Sequence, residues 1–302
     1  MNNFFQMVNV QAILFIYISV GFYSKKALIL DDVTQQKLTE WVVRITFPCM
    51  VFASFHMEFR LEYLVEGATV IAIATGMASA ALILGKFLYR RFPQHERCIL
   101  QYGTLVSNAG FAGLPMIAGA YGTEGLFLAS LFIIPTRILM WSAGISLFTS
   151  MDASARLKKV LLNPSLIAVV LGLIRMVLQI PLPDFMNTAI QNLGASTTPL
   201  AMALVGAMLA DISPRAMLDP KAFYLAFVRQ LLLPLICLIS LRALGVNPLT
   251  TAVSVVLTGM PIGSTTAILA GKYGADATFA SKCVFLSTLT SLITVPLLTL
   301  LL

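Results

Sequence analysis

The chain has 302 residues, of which 58% are apolar and only 11% charged, whereas soluble domains run at about 45–50% apolar and about 25% charged. The apolar residues fall in runs of about twenty, the length that spans a hydrocarbon core, so the composition excludes a soluble protein and specifies an all-α polytopic membrane protein. The net charge of +7 does not call for nucleic acid, because Lys and Arg collect on cytoplasmic loops of membrane proteins and set their orientation.

The first apolar run, 7–23, has no cation before it and is followed at once by Lys25 and Lys26. A cleavable leader carries its charge in front, so this run reads as a retained first span with its N-terminus outside. Ten spans follow from the hydropathy, with cores at about 6–24, 36–57, 65–89, 97–121, 125–149, 163–181, 187–210, 221–243, 249–273 and 277–301. The odd loops between them hold Lys25, Lys26 and Lys37; Arg90, Arg91 and Arg97; Arg156, Lys158 and Lys159; and Arg215 and Lys221. The even loops hold only Arg60 and, near the eighth, Arg242. The odd loops are therefore predicted to be cytoplasmic, with both termini extracytoplasmic and the chain multi-pass in the cell membrane.

Displaced by half its length, the chain superposes Ile16 on Ile167, Gly21 on Gly172, Thr46 on Thr197, Pro48 on Pro199 and Arg91 on Arg242. A one-residue gap continues the series with Ala118-Gly119 on Ala270-Gly271 and Tyr121-Gly122 on Tyr273-Gly274. Two five-span halves are implied, 1–150 and 163–302, joined by a short cytoplasmic linker at 151–162. An odd span count inserts the second half upside down. Inverted repeats are the architecture of secondary transporters, with the site near the midplane at broken helices. Duplication without a transport role is the competing explanation.

The fourth span contains "SNAGFAGLPMIAGAYG" (107–122), with Asn108, Gly110, Gly113 and Pro115. The ninth contains "LTGMPIGSTTAILAGKYG" (257–274), with Gly259, Pro261, Gly263, Thr265 and Thr266. Proline removes a backbone donor and glycine frees the chain from helical geometry. In hydrocarbon the groups so released must be met by protein, water or ligand. Close packing through Gly259-x-x-x-Gly263 is the alternative, but it leaves Asn108 unexplained. The Ala-Gly-x-Tyr-Gly tail shared by both stretches reads as the way each helix ends. In the second and seventh spans Thr46-Phe47-Pro48 and Thr197-Thr198-Pro199 read as bends, with the threonine bonding back to a carbonyl.

Five cations lie inside spans: Arg44, Arg137, Arg175, Arg229 and Lys282. Arg175, Arg229 and Lys282 are placed within about two turns of a span end, where they can snorkel to water. Arg44 has Glu40 one turn earlier as a helix pair. Arg137 lies near mid-span, just after Pro135, and a cation there costs at least about 2.5–3.5 kcal/mol on insertion scales. It must face a cavity, carbonyls freed by Pro135, or an anion. The thirteen Asp and Glu all fall in loops or near span ends, so no central carboxylate relay is encoded. A cationic core without a fixed anion favours an anionic substrate such as a carboxylate, while sodium coordination by freed carbonyls stays open.

Other chemistries are unsupported. The four cysteines are scattered and the two histidines are too few for a zinc cluster, so no metal site is expected. No G-x-x-x-x-G-K-[ST] loop and no H-E-x-x-H are present, so neither an ATP-driven engine nor an intramembrane protease is read, and the protein is not expected to be an enzyme or to need a cofactor. A membrane receptor or scaffold would want a soluble signalling domain. A channel is not excluded by broken helices.

The run Asn108 to Pro115 followed by Tyr121-Gly122 resembles the fourth-helix signature of the auxin efflux carrier family. Asn163-Pro164 opening the sixth span, then "TTPLAMALVGAMLA" (197–210), resembles its second-half signature, and "MPIGSTTAILAGKYGAD" (260–276) its ninth helix. The resemblance covers nearly the whole chain and is to the short, bacterial type, without the long central loop of many plant members, in the superfamily of bile-acid, arsenite and riboflavin transporters. It implies ten transmembrane helices as two inverted five-helix repeats, the bile-acid-symporter-like fold, with broken helices 4 and 9 crossing at Pro115 and Pro261. It also implies a scaffold of helices 1, 2, 6 and 7, a moving transport domain of helices 3–5 and 8–10, and a homodimer through the scaffold. The expected function is secondary transport of a small organic anion through the bilayer by elevator-like alternating access. The expected substrate contacts are Asn108, Gly110, Gly113, Pro115, Arg137, Pro261, Gly263, Thr265 and Thr266. Coupling to Na+ or H+ is left open, a sodium-coupled symporter being the main rival.

Overall fold

The computed structural model describes residues 2–149, 153–210 and 219–302. The loop cation Arg215 and linker positions 151–152 lie outside the described residues, as do the side chains of Arg156 and Lys159. Among the described residues the chain is helical: α1 (Asn2–Lys26), α2 (Asp32–Trp41), α3 (Phe47–Ser54), α4 (Leu61–Leu88), α5 (Gln94–Leu105), α6 (Leu114–Leu139), α7 (Ala153–Leu161), α8 (Pro164–Leu178), α9 (Asp184–Ala195), α10 (Thr197–Ala210), α11 (Pro220–Phe227), α12 (Leu233–Ala243), α13 (Pro248–Thr258), α14 (Thr265–Lys272) and α15 (Ala277–Leu300). Five stretches among the described residues are long and apolar enough to cross a membrane: Leu61–Leu88, Ala109–Leu147, Asp184–Ala210, Pro220–Ala243 and Ala277–Leu300. α8 and α13 are shorter apolar helices. Large apolar side chains such as Phe15, Ile16, Ile83, Phe87, Ile239 and Ile293 lie exposed along these helices, as a lipid-facing surface requires. The protein is a polytopic α-helical membrane protein.

The stretch Ala109–Leu147 is 39 residues long, which at about 1.5 Å per residue is roughly twice a hydrocarbon core. It is divided at Gly122, whose φ of 62° and ψ of −153° are not helical. The turn folds the chain back on itself: a Cβ on Gly125 would lie 2.4 Å from the Tyr121 Cβ and 3.2 Å from Ile117. Gly274, the last residue of the corresponding tail in the second half, also has positive φ, 74°. Only glycine takes such a conformation without strain, so the shared tail is a helix ending, as the sequence suggests.

Three prolines sit inside apolar segments without breaking them, by one device. Wide π-type turns at Val42–Thr46, Ala109–Gly113 and Val228–Leu232 each end two residues before a proline: Pro48, Pro115 and Pro234. In each, the residue just before the proline donates its amide five residues back, Phe47 to Val42, Leu114 to Ala109 and Leu233 to Val228. One extra residue per turn draws the backbone away from the pyrrolidine ring and relieves the clash that a regular helix would impose. The bend expected at Thr46 is therefore present, but the threonines do not bond back to a carbonyl. The hydroxyls of Thr46 and Thr197 are buried without a partner, because the π turn and the interruption at Ser196 between α9 and α10 already accommodate the prolines.

The helices sort by packing into two sets. In one, α1 runs along α10, and α3 packs on α8 and α9. In the other, α4 packs on α5 and α6, α13 on α6 and α12, and α15 on α11 and α14. The sets meet where α1 and α3 lie against α6 and where α1 meets α15. α1 and α10 approach at backbone contact: a Cβ on Gly21 would lie 1.9 Å from the Ala203 carbonyl oxygen, and one on Gly206 1.9 Å from that of Ile18. Such small-residue seams replace the hydrophobic effect as the source of helix association in lipid. Gly172 of α8 serves the same end, bare against the Phe55 ring.

Candidate functional site: two interrupted helices joined at their breaks

α5 stops at Leu105 and α13 at Thr258; the chain resumes helical form at Ala109 and at Thr265. The two gaps lie against each other. The Asn108 amide donates to the Pro261 carbonyl at 2.7 Å, and the Gly263 amide to the Val106 carbonyl at 3.0 Å. Ser107 and Ile262 thus form an isolated antiparallel bridge. The Ile262 amide, which faces away from this pair, donates to Ser287 Oγ on α15 at 3.1 Å. Each break satisfies part of the backbone that the other exposes, as lipid demands, and Pro261 stands where only its carbonyl is needed. The crossing is therefore at Ser107 and Ile262. Pro261 belongs to it, but Pro115 does not. The ring of Pro115 lies buried in α6, past the π turn that spares the helix a break there.

Gly263 is held close to the other break, since its Cβ would meet Val106 and the Thr265 hydroxyl at 3.3 Å. Gly113 packs on the second interrupted helix, with Leu257 at 2.6 Å and Met260 at 3.1 Å from a Cβ placed on it. Gly259 packs on Leu298. Close packing thus accounts for these three glycines.

Gly110 is different. A Cβ there would lie 2.6 Å from Nη2 of Arg137 and 3.4 Å from the Phe47 ring. The guanidinium rests on the bare backbone of the first break. Its one hydrogen bond among the described residues is Nη1 to the Met140 sulfur, at 3.6 Å, and a thioether is a weak acceptor. The ion pairs among the described residues are Lys25–Asp32, Arg44–Glu40, Arg60–Glu58 and Lys221–Glu96, so Arg137 has no carboxylate partner there. The carbonyls freed by Pro135 do not take it either. Arg44 does pair with Glu40, at 2.7 Å, on an exposed face.

Tyr102, which the sequence reading passed over, closes the site. It is fully buried, packs edge-on against Phe148 and donates to Thr265 Oγ1 at 3.3 Å, joining α5 to α14. The Asn108 side chain makes no hydrogen bond with any described residue, and Thr266 is fully buried with an unpartnered hydroxyl. Asn108, Gly110, Arg137, Pro261, Gly263 and Thr265 thus come together around the paired breaks, while Gly113, Pro115 and Thr266 lie in the packing behind.

Arg229 departs from the expected snorkelling, and Arg175 reaches protein acceptors at the end of its helix. Arg175 is 7% exposed; its Nη2 donates to Asn187 Oδ1 at 2.7 Å and its guanidinium lies 5.5 Å from the Phe52 ring centroid. Arg229 is 5% exposed and donates Nη1 to the Thr104 carbonyl at 2.9 Å. The acceptor of Arg229 comes from α5, 125 residues away, which sequence distance from a span end could not reveal, whereas those of Arg175, the Ile180 carbonyl and Asn187, lie just past the end of its own helix.

A family model described as membrane transport protein matches residues 6–160 and 153–299. The chain belongs to this family, that of the auxin efflux carriers. An uncharacterized transporter of Methanothermobacter thermautotrophicus is 26% identical over 286 residues, 93% of this chain and 94% of that protein. An uncharacterized transporter of Methanocaldococcus jannaschii is 25% identical over 304 residues, 96% and 97% of the two chains. This auxin efflux carrier family member is thus a multi-pass membrane transporter.

Proposed function

We propose that the protein is a secondary carrier of a small organic anion, a carboxylate, moved by elevator-type alternating access. The observation that carries this reading is Arg137: a guanidinium at membrane depth, unpaired with any described carboxylate and laid against Gly110 at the paired breaks. A cation so placed is costly unless something anionic visits it, and a planar fork of donors suits a carboxylate. Asn108 and Thr265 add neutral polar contacts at the same place.

The ten-helix, inverted-repeat arrangement is part of the proposal. Its support is the matched interruptions, the matched left-handed glycines Gly122 and Gly274, and the reciprocal seams of α1 on α10 and α8 on α3. In this reading α1, α2–α3, α8 and α9–α10 form the scaffold and the face for a homodimer, and the remaining set moves against it. In this reading both termini lie outside the cell membrane, an orientation that the loop cations support.

The test is uptake into proteoliposomes across a panel of labelled carboxylates. At least one should accumulate saturably, and Arg137→Gln should lower its uptake at least about tenfold, the value of a charge-assisted hydrogen bond, with Arg137→Lys in between. Native-rate uptake by Arg137→Gln, or non-saturating current, would remove the reading.

A further inference from the structure

Arg229 is a deeply buried cation, 5% exposed, apart from the Arg137 site. It lies in the wide turn Val228–Leu232 between α11 and α12. Its Nη1 bonds the Thr104 carbonyl and its Nε is buried without a partner. Thr104 is the penultimate residue of α5, and its carbonyl is one of the last four that a helix leaves unsatisfied. Such an end carries about half a negative charge. α13 ends at Thr258, and Thr258 shares with Arg229, Leu105 and Thr136 the wall of one small cavity. The guanidinium therefore holds the carbonyl end of α5 and lies beside the residue that ends α13 across that small cavity. In carriers built on broken helices, unwound carbonyls and half-helix C-termini are the groups that coordinate a coupling cation. Here those groups face a cation that is already part of the chain.

We infer that Arg229 is the resident counter-cation of the crossing, so that no sodium ion is taken up at these carbonyls and the transport cycle runs without a sodium gradient. The transport half of this statement rests on the carrier reading above. The charge balance is a property of the resting protein and is tested without any substrate. Arg229 acts through the α5 and α13 ends and is a positioning residue.

The full-length protein is purified in detergent and its thermal unfolding followed in sodium chloride and in choline chloride of equal concentration. The wild type should unfold at one temperature in both salts. Arg229→Gln should unfold about 4 °C lower in choline, and sodium should restore part of the difference saturably. Arg229→Lys, which keeps the charge, should follow the wild type in both salts. Saturable stabilisation of the wild type by sodium would overturn the inference. So would an Arg229→Gln protein that matches the wild type, or one that neither sodium nor the lysine variant rescues, since that is plain loss of packing. None of these results depends on whether a carboxylate is moved, so failure here is distinct from failure of the carrier assignment.

Discussion

Gly110 is glycine because of Arg137. Any side chain at 110 would occupy the place of Nη2, 2.6 Å from an added Cβ. The obstruction is the far end of a flexible side chain, so Gly110→Ala should leave folding nearly unchanged while swinging the guanidinium off the break. The expected result is a KM for the transported carboxylate raised about tenfold, the cost of misplacing one charge-assisted contact, with an unfolding temperature close to the wild type. A fold that collapses on this substitution would show that Gly110 serves packing alone. Arg137 was legible in the sequence because its depth and its neighbour Pro135 are local facts. Arg229 was not. Counting residues from a span end gave it access to water, whereas its burial comes from α5, 125 residues away. Tyr102 was missed for the same reason: nothing near it in sequence announces Thr265.

At the scale of the element, proline marks different things in different places. Pro261 sits in a true break, whereas Pro115 follows a π turn that keeps its helix continuous. In sequence the two look alike, since each is flanked by glycines, and the family resemblance puts the crossing at both prolines, whereas in the first half it lies at Ser107. What separates them is the i to i−5 bond of Leu114, a feature of backbone geometry with no residue code of its own. The proline and the wide turn nonetheless depend on each other. Pro115→Ala removes the ring that disfavours a regular helix, so Ala109–Gly113 is free to tighten, which turns the preceding residues by about 100°. Gly110 would then leave Arg137, and uptake should fall while circular dichroism stays helical. The seam of α1 on α10 gives a contrasting prediction. Gly206→Val places a branched side chain where even a Cβ would lie 1.9 Å from the Ile18 carbonyl oxygen. The obstruction is backbone, so destabilisation of about 3 kcal/mol or more is expected, measured as a lowered unfolding temperature or loss of folded protein on size exclusion.

For the whole molecule, the membrane character, the two interrupted stretches and the helix-ending tails were all legible, because each rests on composition or on glycine and proline. The way the helices sort into two packed sets was implied only by the family resemblance and not by composition, because it depends on which faces meet. Relative motion of the sets can be tested at a hydroxyl pair between them: Ser54 Oγ of α3 lies 3.4 Å from Ser130 Oγ of α6. Paired cysteines there are close enough for a disulfide. If the sets slide past each other during transport, the oxidised double variant should be inactive and reduction should restore uptake. Equal uptake in both states would exclude motion across this contact.

The bridge between Ser107 and Ile262 has a consequence of a different kind. Both of its bonds run from main-chain amide to main-chain carbonyl, so no particular side chain is required to hold the two segments in place. The groups proposed to meet a cargo, on Asn108, Arg137 and Thr265, are all side chains. On the proposed reading, framework and selectivity are thus encoded in separate chemical groups, main chain and side chain, that meet at Asn108. A protein arranged this way can change what it accepts by single substitutions without having to reinvent the junction that accepts it.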